Sequence, residues 1–381
     1  MVRWGAAAAI ALGCVGVLML GLQPLILGAL LDEHRVSVAQ LTQAAMLEQL
    51  ALGVVAGALG AFAPRSHLRL LACVGCALVA LANAACVGAD GLSFVLWRGV
   101  GGCGSGILLW IAGSVIAFSD APARLSAIFV GSQAVFQCFL AALLPVTLMP
   151  ILGANGGLAS IAAISLASIA LVKVLPVGLP NTVPEDAGPG TMEIGPSRFG
   201  IRAYIGLMAS FFFMAAIVGF WVFVEPLGAS SNITPSIAHF SVASNLAAQI
   251  AGAALAAILA RRLAPIAALV LMLCCLLLLV ALALVYKDPH DTAFLAAILL
   301  HGFVWTIGLS LFVPLLIRVD PTRRGALLLA GTEMLGASAG PLVTGIYATE
   351  TRLTPVVVSA ALLALSSLVC IAAAASHSPR S

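Results

Sequence analysis

The chain has 381 residues, 62% of them hydrophobic and only 8% charged, with a formal net charge of +3. Soluble domains are roughly 25% charged, so this composition excludes a water-soluble globular protein and predicts a polytopic membrane protein. The small net charge says little about partners, and no nucleic-acid partner is expected.

A helix needs about 20 apolar residues to cross roughly 30 Å of hydrocarbon. The first run to satisfy that ruler is 4–30. It opens like a signal peptide, with Arg3 before an apolar stretch, but it continues too far and reads as a retained first membrane helix. Further spans follow at 38–62, 68–88, 92–118, 125–149 and 155–176. The stretch Pro176 to Gly200 then interrupts the pattern with five prolines, several acids and no helical period, which is the composition of a flexible linker. Six more spans are predicted at 201–227, 235–259, 264–286, 292–316, 325–348 and 353–375. The expected organisation is therefore an all-α protein of twelve transmembrane helices, in two six-helix bundles (1–176 and 201–381) joined by a linker at 177–200.

Lysine and arginine placement orients these spans. With the N-terminus inside, thirteen basic residues fall on the cytoplasmic side and only Arg35, Lys287 and Arg352 on the outer side, leaving Arg98 in the membrane. Both termini are expected in the cytoplasm of a cell whose inner membrane holds the protein. The nine cysteines all fall within apolar runs. Cys73 and Cys76 form a CxxC, but in this setting they read as small buried membrane residues, and no disulfide framework or metal ligand set follows.

The two halves echo each other. Asp120-Ala-Pro-Ala-Arg124 leading to Gly131-Ser132-Gln133 parallels Asp320-Pro-Thr-Arg-Arg324 leading to Gly331-Thr332-Glu333, at a constant offset of 200. In each, an aspartate before a helix start can cap the free N–H groups. Val55-Ala-Gly-Ala58 matches Ile250-Ala-Gly-Ala253, and Gln23-Pro-Leu25 matches Glu225-Pro-Leu227. Three echoes in order indicate a duplicated six-helix unit, the arrangement of secondary transporters, whose substrate site lies between repeats.

Along its whole length the chain resembles the major facilitator superfamily. The carriers of that resemblance are the six-plus-six spans, the central cytoplasmic linker and the fourth-helix motif Arg98-Gly-Val-Gly-Gly-Cys-Gly-Ser-Gly106. The loop motif Gly60-Ala-Phe-Ala-Pro64-Arg65-Ser-His67-Leu-Arg69 is degenerate, with Pro64 where the family usually has aspartate and His67 in place of a glycine. The fifth helix lacks the Gly-Pro pattern of drug/proton antiporters; a similar pattern, Gly336-xxx-Gly340-Pro341, lies on the eleventh. The resemblance implies alternating access without a cofactor and without enzymatic chemistry, and it associates the helix-four arginine with proton coupling.

The candidate coupling groups are ionisable residues placed where lipid cannot solvate them. Arg98 lies roughly 9 Å deep at 1.5 Å per residue. Glu48 sits near the midplane of helix two, and Glu333 lies about two turns into helix eleven, where its repeat partner is the neutral Gln133. For Arg98 the expected partner is Glu48 first and Glu333 second. Candidate substrate contacts are Gln23, Gln133, Glu225, His239, Asn245, His301 and Trp305. For the amides the alternative is interhelical hydrogen bonding, and for the histidines it is packing. Trp97 and Trp221 read as interfacial belt residues.

The expected function is a monomeric, proton-coupled transporter taking up a small organic solute, anionic or aromatic. The alternatives are an efflux antiporter for amphipathic compounds and, from another class, a non-transporting receptor or polytopic enzyme.

Overall fold

Apolar sequence in a bilayer leaves backbone N–H and C=O groups only one another as partners, which favours continuous helices. The computed structural model meets that demand. Its described residues are 2–62, 66–179, 200–224, 227, 233–259, 262, 264–285, 291–345 and 354–376. Among them no strand occurs, and ten helices are long and apolar enough to cross a membrane. Two shorter apolar helices, Ala243–Leu259 and Pro265–Leu279, lie where the eighth and ninth spans are expected.

The chain divides into two compact units, Met1–Asp120 with Ser132–Gly195, and Ala121–Gly131 with Pro196–Ser381. In the first unit α1 is Val2–Gly16, α2 Leu18–Asp32, α3 Val38–Phe62, α4 Leu68–Cys86 and α5 Gly91–Ala117. Then come α6 (Pro122–Leu143), which starts in the second unit's segment, the single turn α7 (Met149–Leu152) and α8 (Ala154–Ala167), which tightens into a 3₁₀ stretch at Ser168–Val174. In the second unit α9 is Ile201–Trp221, α10 Pro235–Leu259, α11 Pro265–Val285, α12 Asp291–Val319, α13 Arg324–Gly345 and α14 Thr354–Ser376. Most of the predicted linker lies outside the described residues. All nine cysteines are unbonded.

The first predicted span carries a break in its helix: α1 and α2 meet at Val17, within the stretch Trp4–Gln23 that is long and apolar enough to cross a membrane. The chain breaks at Val17 (φ −103°, ψ 10°), where Gln137 of α6 donates from Nε2 to the Val17 carbonyl at 2.8 Å. A side chain inserted at the helix ladder is a recognised cause of a kink. One turn on, Gly21 leaves the room that the Gln137 side chain occupies. Replacing Gln137 with leucine should lower stability by about 1–2 kcal/mol through the unmet carbonyl. A thermal unfolding scan in detergent tests this against Gln133→Leu, a change on the same helix that removes no such bond and should leave the midpoint in place.

Helix packing explains the glycine run. The helices α3 and α5 run in the same direction, since Gly102 faces the Glu48 carbonyl and Gly106 faces that of Leu52, an advance of four residues on each. Gly104 serves a different neighbour, with the Gly75 carbonyl of α4 2.8 Å from where its Cβ would lie. The device recurs in the second unit. Gly336 and Gly340 of α13 face the Phe211 and Ala215 carbonyls of α9, and Thr344 Oγ1 donates to Gly219 O at 3.2 Å. On α12, Gly302 lies against the Asn245 carbonyl of α10, at the same offset of 200 from Gly102.

Polar residues fasten the helix ends. Asp320 caps α13 by accepting from Gly325 N at 2.8 Å and Thr322 N at 3.1 Å. Asp90, just before α5, gives its carboxylate to Arg35 Nε (2.9 Å) rather than to the helix. The same guanidinium donates to Asn155 Oδ1 and to the Cys86 and Ala89 carbonyls, tying together three helix-end segments of the first unit.

Candidate functional site

Within the first unit, α3, α4 and α5 converge on one buried charge. Arg98 is 1% exposed, Glu48 5% and Asn83 1%. All three kinds of guanidinium nitrogen are used. Nε donates to Glu48 Oε2 at 3.2 Å and Nη2 to Glu48 Oε1, forming a two-pronged ion pair, while Nη1 donates to Asn83 Oδ1 at 2.9 Å. Asn83 Nδ2 donates in turn to the Val79 carbonyl one turn back, at 2.8 Å, which fixes the amide with its oxygen toward the arginine. Gln23 of α2 donates to Glu48 Oε2 at 3.3 Å.

Local sequence makes this geometry possible. With only hydrogen at Gly102, the α3 backbone comes against α5 at Glu48 itself, so a carboxylate and a guanidinium one turn apart in height can meet side by side. A bidentate, charge-assisted pair of this kind suits buried sites, because two ions withdrawn from water are tolerated only when paired and hydrogen-bonded. The group is electrically neutral overall.

The second unit places a different network between α9, α10 and α12. His301 is fully buried. Its Nε2 lies 3.3 Å from the Ile217 carbonyl and its Nδ1 3.2 Å from Asn245 Nδ2. A carbonyl only accepts and an amide nitrogen only donates, so the imidazole is neutral with its proton on Nε2. Asn245 Nδ2 also donates to Ile298 O at 3.0 Å, and its oxygen accepts from Gln249 Nε2 at 2.7 Å. Around the ring stand three aromatics. Trp221 is stacked on it (5.8 Å, 10°), Trp305 meets it edge-on (5.8 Å, 73°) and Phe220 is tilted against it (5.3 Å). Trp221 and Trp305 are 6.3 Å apart and both partly exposed. Behind them Phe220, Val224, Leu279, Ile298, Val357 and Ala360 form an apolar cluster.

The structure thus brings Gln23, Glu48 and Arg98 together in one unit, and Asn245, His301 and Trp305 in the other. Gln133 is half-buried on α6 and joins neither network. Glu333 is 8% exposed on α13, and its Oε1 accepts no hydrogen bond. Glu225 and the side chain of His239 lie outside the described residues. Two members were missed from sequence. Asn83 is signalled only by being an amide within the apolar run of α4. Trp221 reads as a belt residue from its place at the end of a span; the structure adds that its ring stacks on His301. Trp110 is 2% exposed and lies inside the first unit. No metal-ligating cluster of three His, Cys, Asp or Glu occurs among the described residues.

Comparison with known proteins gives no matching family model, and no curated protein matches in sequence. Solved structures do match. A major facilitator superfamily transporter, FucP, in the outward conformation superposes with a TM-score of 0.69 at 12% identity, over 97% of this chain and 98% of that one. The human organic anion transporter MFSD10 (TETRAN) gives the same TM-score at 14% identity, over 97% and 99%. At such identity the likeness is one of fold.

Proposed function

Taking as premise that this multi-pass chain has the fold of the major facilitator superfamily transporters, we propose that it is a secondary active transporter. It lies in the inner membrane with both termini cytoplasmic, and moves a small organic solute by alternating access between two six-helix bundles, 1–176 and 201–381, joined by the cytoplasmic linker. Transport is proton-coupled uptake by a monomer, and Glu48, Arg98 and Glu333 form the coupling set.

The observation that carries this reading is the buried Arg98–Glu48 pair. Two charges are retained in an apolar helical unit where leucine would pack without a desolvation penalty, and intramembrane ionisable residues mark ion and substrate pathways. The solute class follows from the two polar networks. Arg98 suits an anionic group that competes with Glu48, and MFSD10, which shares the fold, is an organic anion transporter. Trp221 and Trp305 suit a planar ring, with Gln23, Gln133, Glu225, His239, Asn245 and His301 supplying hydrogen bonds.

The test is uptake into proteoliposomes under an inward proton gradient. The vesicles are incubated with a mixture of organic acids and aromatic metabolites, and their contents are compared with those of empty liposomes by mass spectrometry. Gradient-dependent accumulation of at least one solute is expected. Accumulation indifferent to the gradient would remove proton coupling, and none at all would remove transport. The partly exposed tryptophan pair also favours a second reading, export of amphipathic compounds. Solute loss from preloaded vesicles under the same gradient would select it.

A further inference from the structure

The two buried carboxylates of the proposed coupling set stand in opposite chemical situations. Both oxygens of Glu48 are engaged, by Arg98 at Nε and Nη2 and by Gln23. Adding a proton to Glu48 would strand a 1% exposed guanidinium without its counter-ion, which is strongly unfavourable. Glu333 has no such partner. It is 8% exposed, forms no ion pair among the described residues, and its Oε1 accepts no hydrogen bond.

Among the described residues of α13 and the helices packed against it, no cation lies level with Glu333. Its helix, α13, packs against α9, α12 and α14. By the register of Gly336 on Phe211 and Gly340 on Ala215, Glu333 lies level with Met208 of α9. Arg202 is six residues, about 9 Å, closer to the end of that helix, and Tyr204 is 52% exposed. On α12, Arg318 is exposed, Asp291 bonds Thr234 and His301 has both ring nitrogens occupied. The titratable group of α14 is Cys370, and α13 itself adds only Arg324 at its first residue. A buried carboxylate oxygen with nothing donating to it is completed most economically by a proton, which removes the charge and turns the oxygen into a donor.

We infer that Glu333 is the group that binds and releases the coupling proton, and that Glu48 is a fixed counter-ion holding Arg98 in place. This rests on the proton-coupled reading above and assigns distinct roles within it. Cycling would load Oε1 when α13 is wetted from one side and unload it when wetted from the other, with Glu48 remaining ionised throughout.

Dicyclohexylcarbodiimide separates the two roles without any known substrate. A carboxylic acid O–H adds across one C=N bond. The proton goes to nitrogen, the oxygen bonds to the central carbon, and migration of the acyl group to nitrogen leaves a stable N-acylurea carrying the whole reagent. The full-length protein in detergent is treated with the reagent, digested and mapped by mass spectrometry. The expected result is an adduct on Glu333 and none on Glu48, retained in Glu48→Gln and Glu333→Asp and lost in Glu333→Gln. If Glu333→Gln does not fold, the wild-type and Glu333→Asp maps still decide. An adduct on Glu48, or none on Glu333, overturns the assignment. Labelled Glu333 in a protein that accumulates no solute removes the transport reading, and the coupling role with it. Accumulation without an adduct on Glu333 overturns the role and leaves transport standing.

Discussion

Glu48→Leu is expected to destabilise the first unit by about 3–5 kcal/mol, the usual cost of breaking a buried ion pair by removing one member. The loss arises less from the missing attraction than from what remains. Arg98 keeps its bond to Asn83 at Nη1 but is left charged, 1% exposed and without its carboxylate. Arg98→Met should cost a similar amount by stranding the carboxylate. The double variant Glu48→Leu/Arg98→Met should recover most of the loss, because an apolar pair of similar volume needs no desolvation. Thermal unfolding of the four proteins in one detergent measures this as a coupling energy. Additive losses would show that the two side chains are not paired. Uptake by the double variant should be lost even where its stability returns, which separates the functional reason for the charges from any structural one.

The second large effect concerns two glycines on one helix. A Cβ at Gly102 would overlap the Glu48 carbonyl, a backbone atom with no freedom to step aside. Gly102→Ala should therefore push α3 from α5 at the ion pair and cost about 1–3 kcal/mol, as overpacking generally does, with Gly102→Val worse. A Cβ at Gly113 would meet nothing within 4 Å. Gly113→Ala should be neutral or stabilising by about 0.5–1 kcal/mol through reduced backbone entropy in a helix. Equal losses in the two variants would mean that close approach at Gly102 is not what holds α3 against α5. The contrast is read from melting midpoints and the recovery of monodisperse protein.

How much of this was legible in advance depends on whether a feature is local. Long apolar runs are local, and the spans at 38–62, 235–259 and 353–375 match α3, α10 and α14 to within a residue at each end. The departures have tertiary causes. The run 4–30 looks continuous, yet it breaks at Val17 where Gln137, 120 residues away, reaches its carbonyl. The predicted span 201–227 closes as α9 at Trp221. That ending sets the Trp221 ring on His301 of α12, a contact 80 residues away in sequence.

The site divides in the same way. That Arg98, Glu48 and Glu333 would be costly residues followed from their depth in apolar runs, since bilayer hydrocarbon penalises any unpaired ion regardless of fold. That Glu48 faces Arg98 while Glu333 Oε1 meets no donor among the described residues follows from which helices adjoin. The glycines at 102 and 106 do not name their neighbour, because a stripe of small residues accepts any partner backbone. Only the packed structure shows that the neighbour is α3, that the contact falls at Glu48, and that Asn83 of α4 completes the shell. Sequence by itself determined an apolar, all-helical membrane chain with a few expensive charges, through the hydrophobic effect and backbone hydrogen bonding, which act residue by residue. Which charges are cancelled and which oxygen is left open was decided by tertiary packing, because pairing depends on side chains that only the fold brings within about 3 Å of each other.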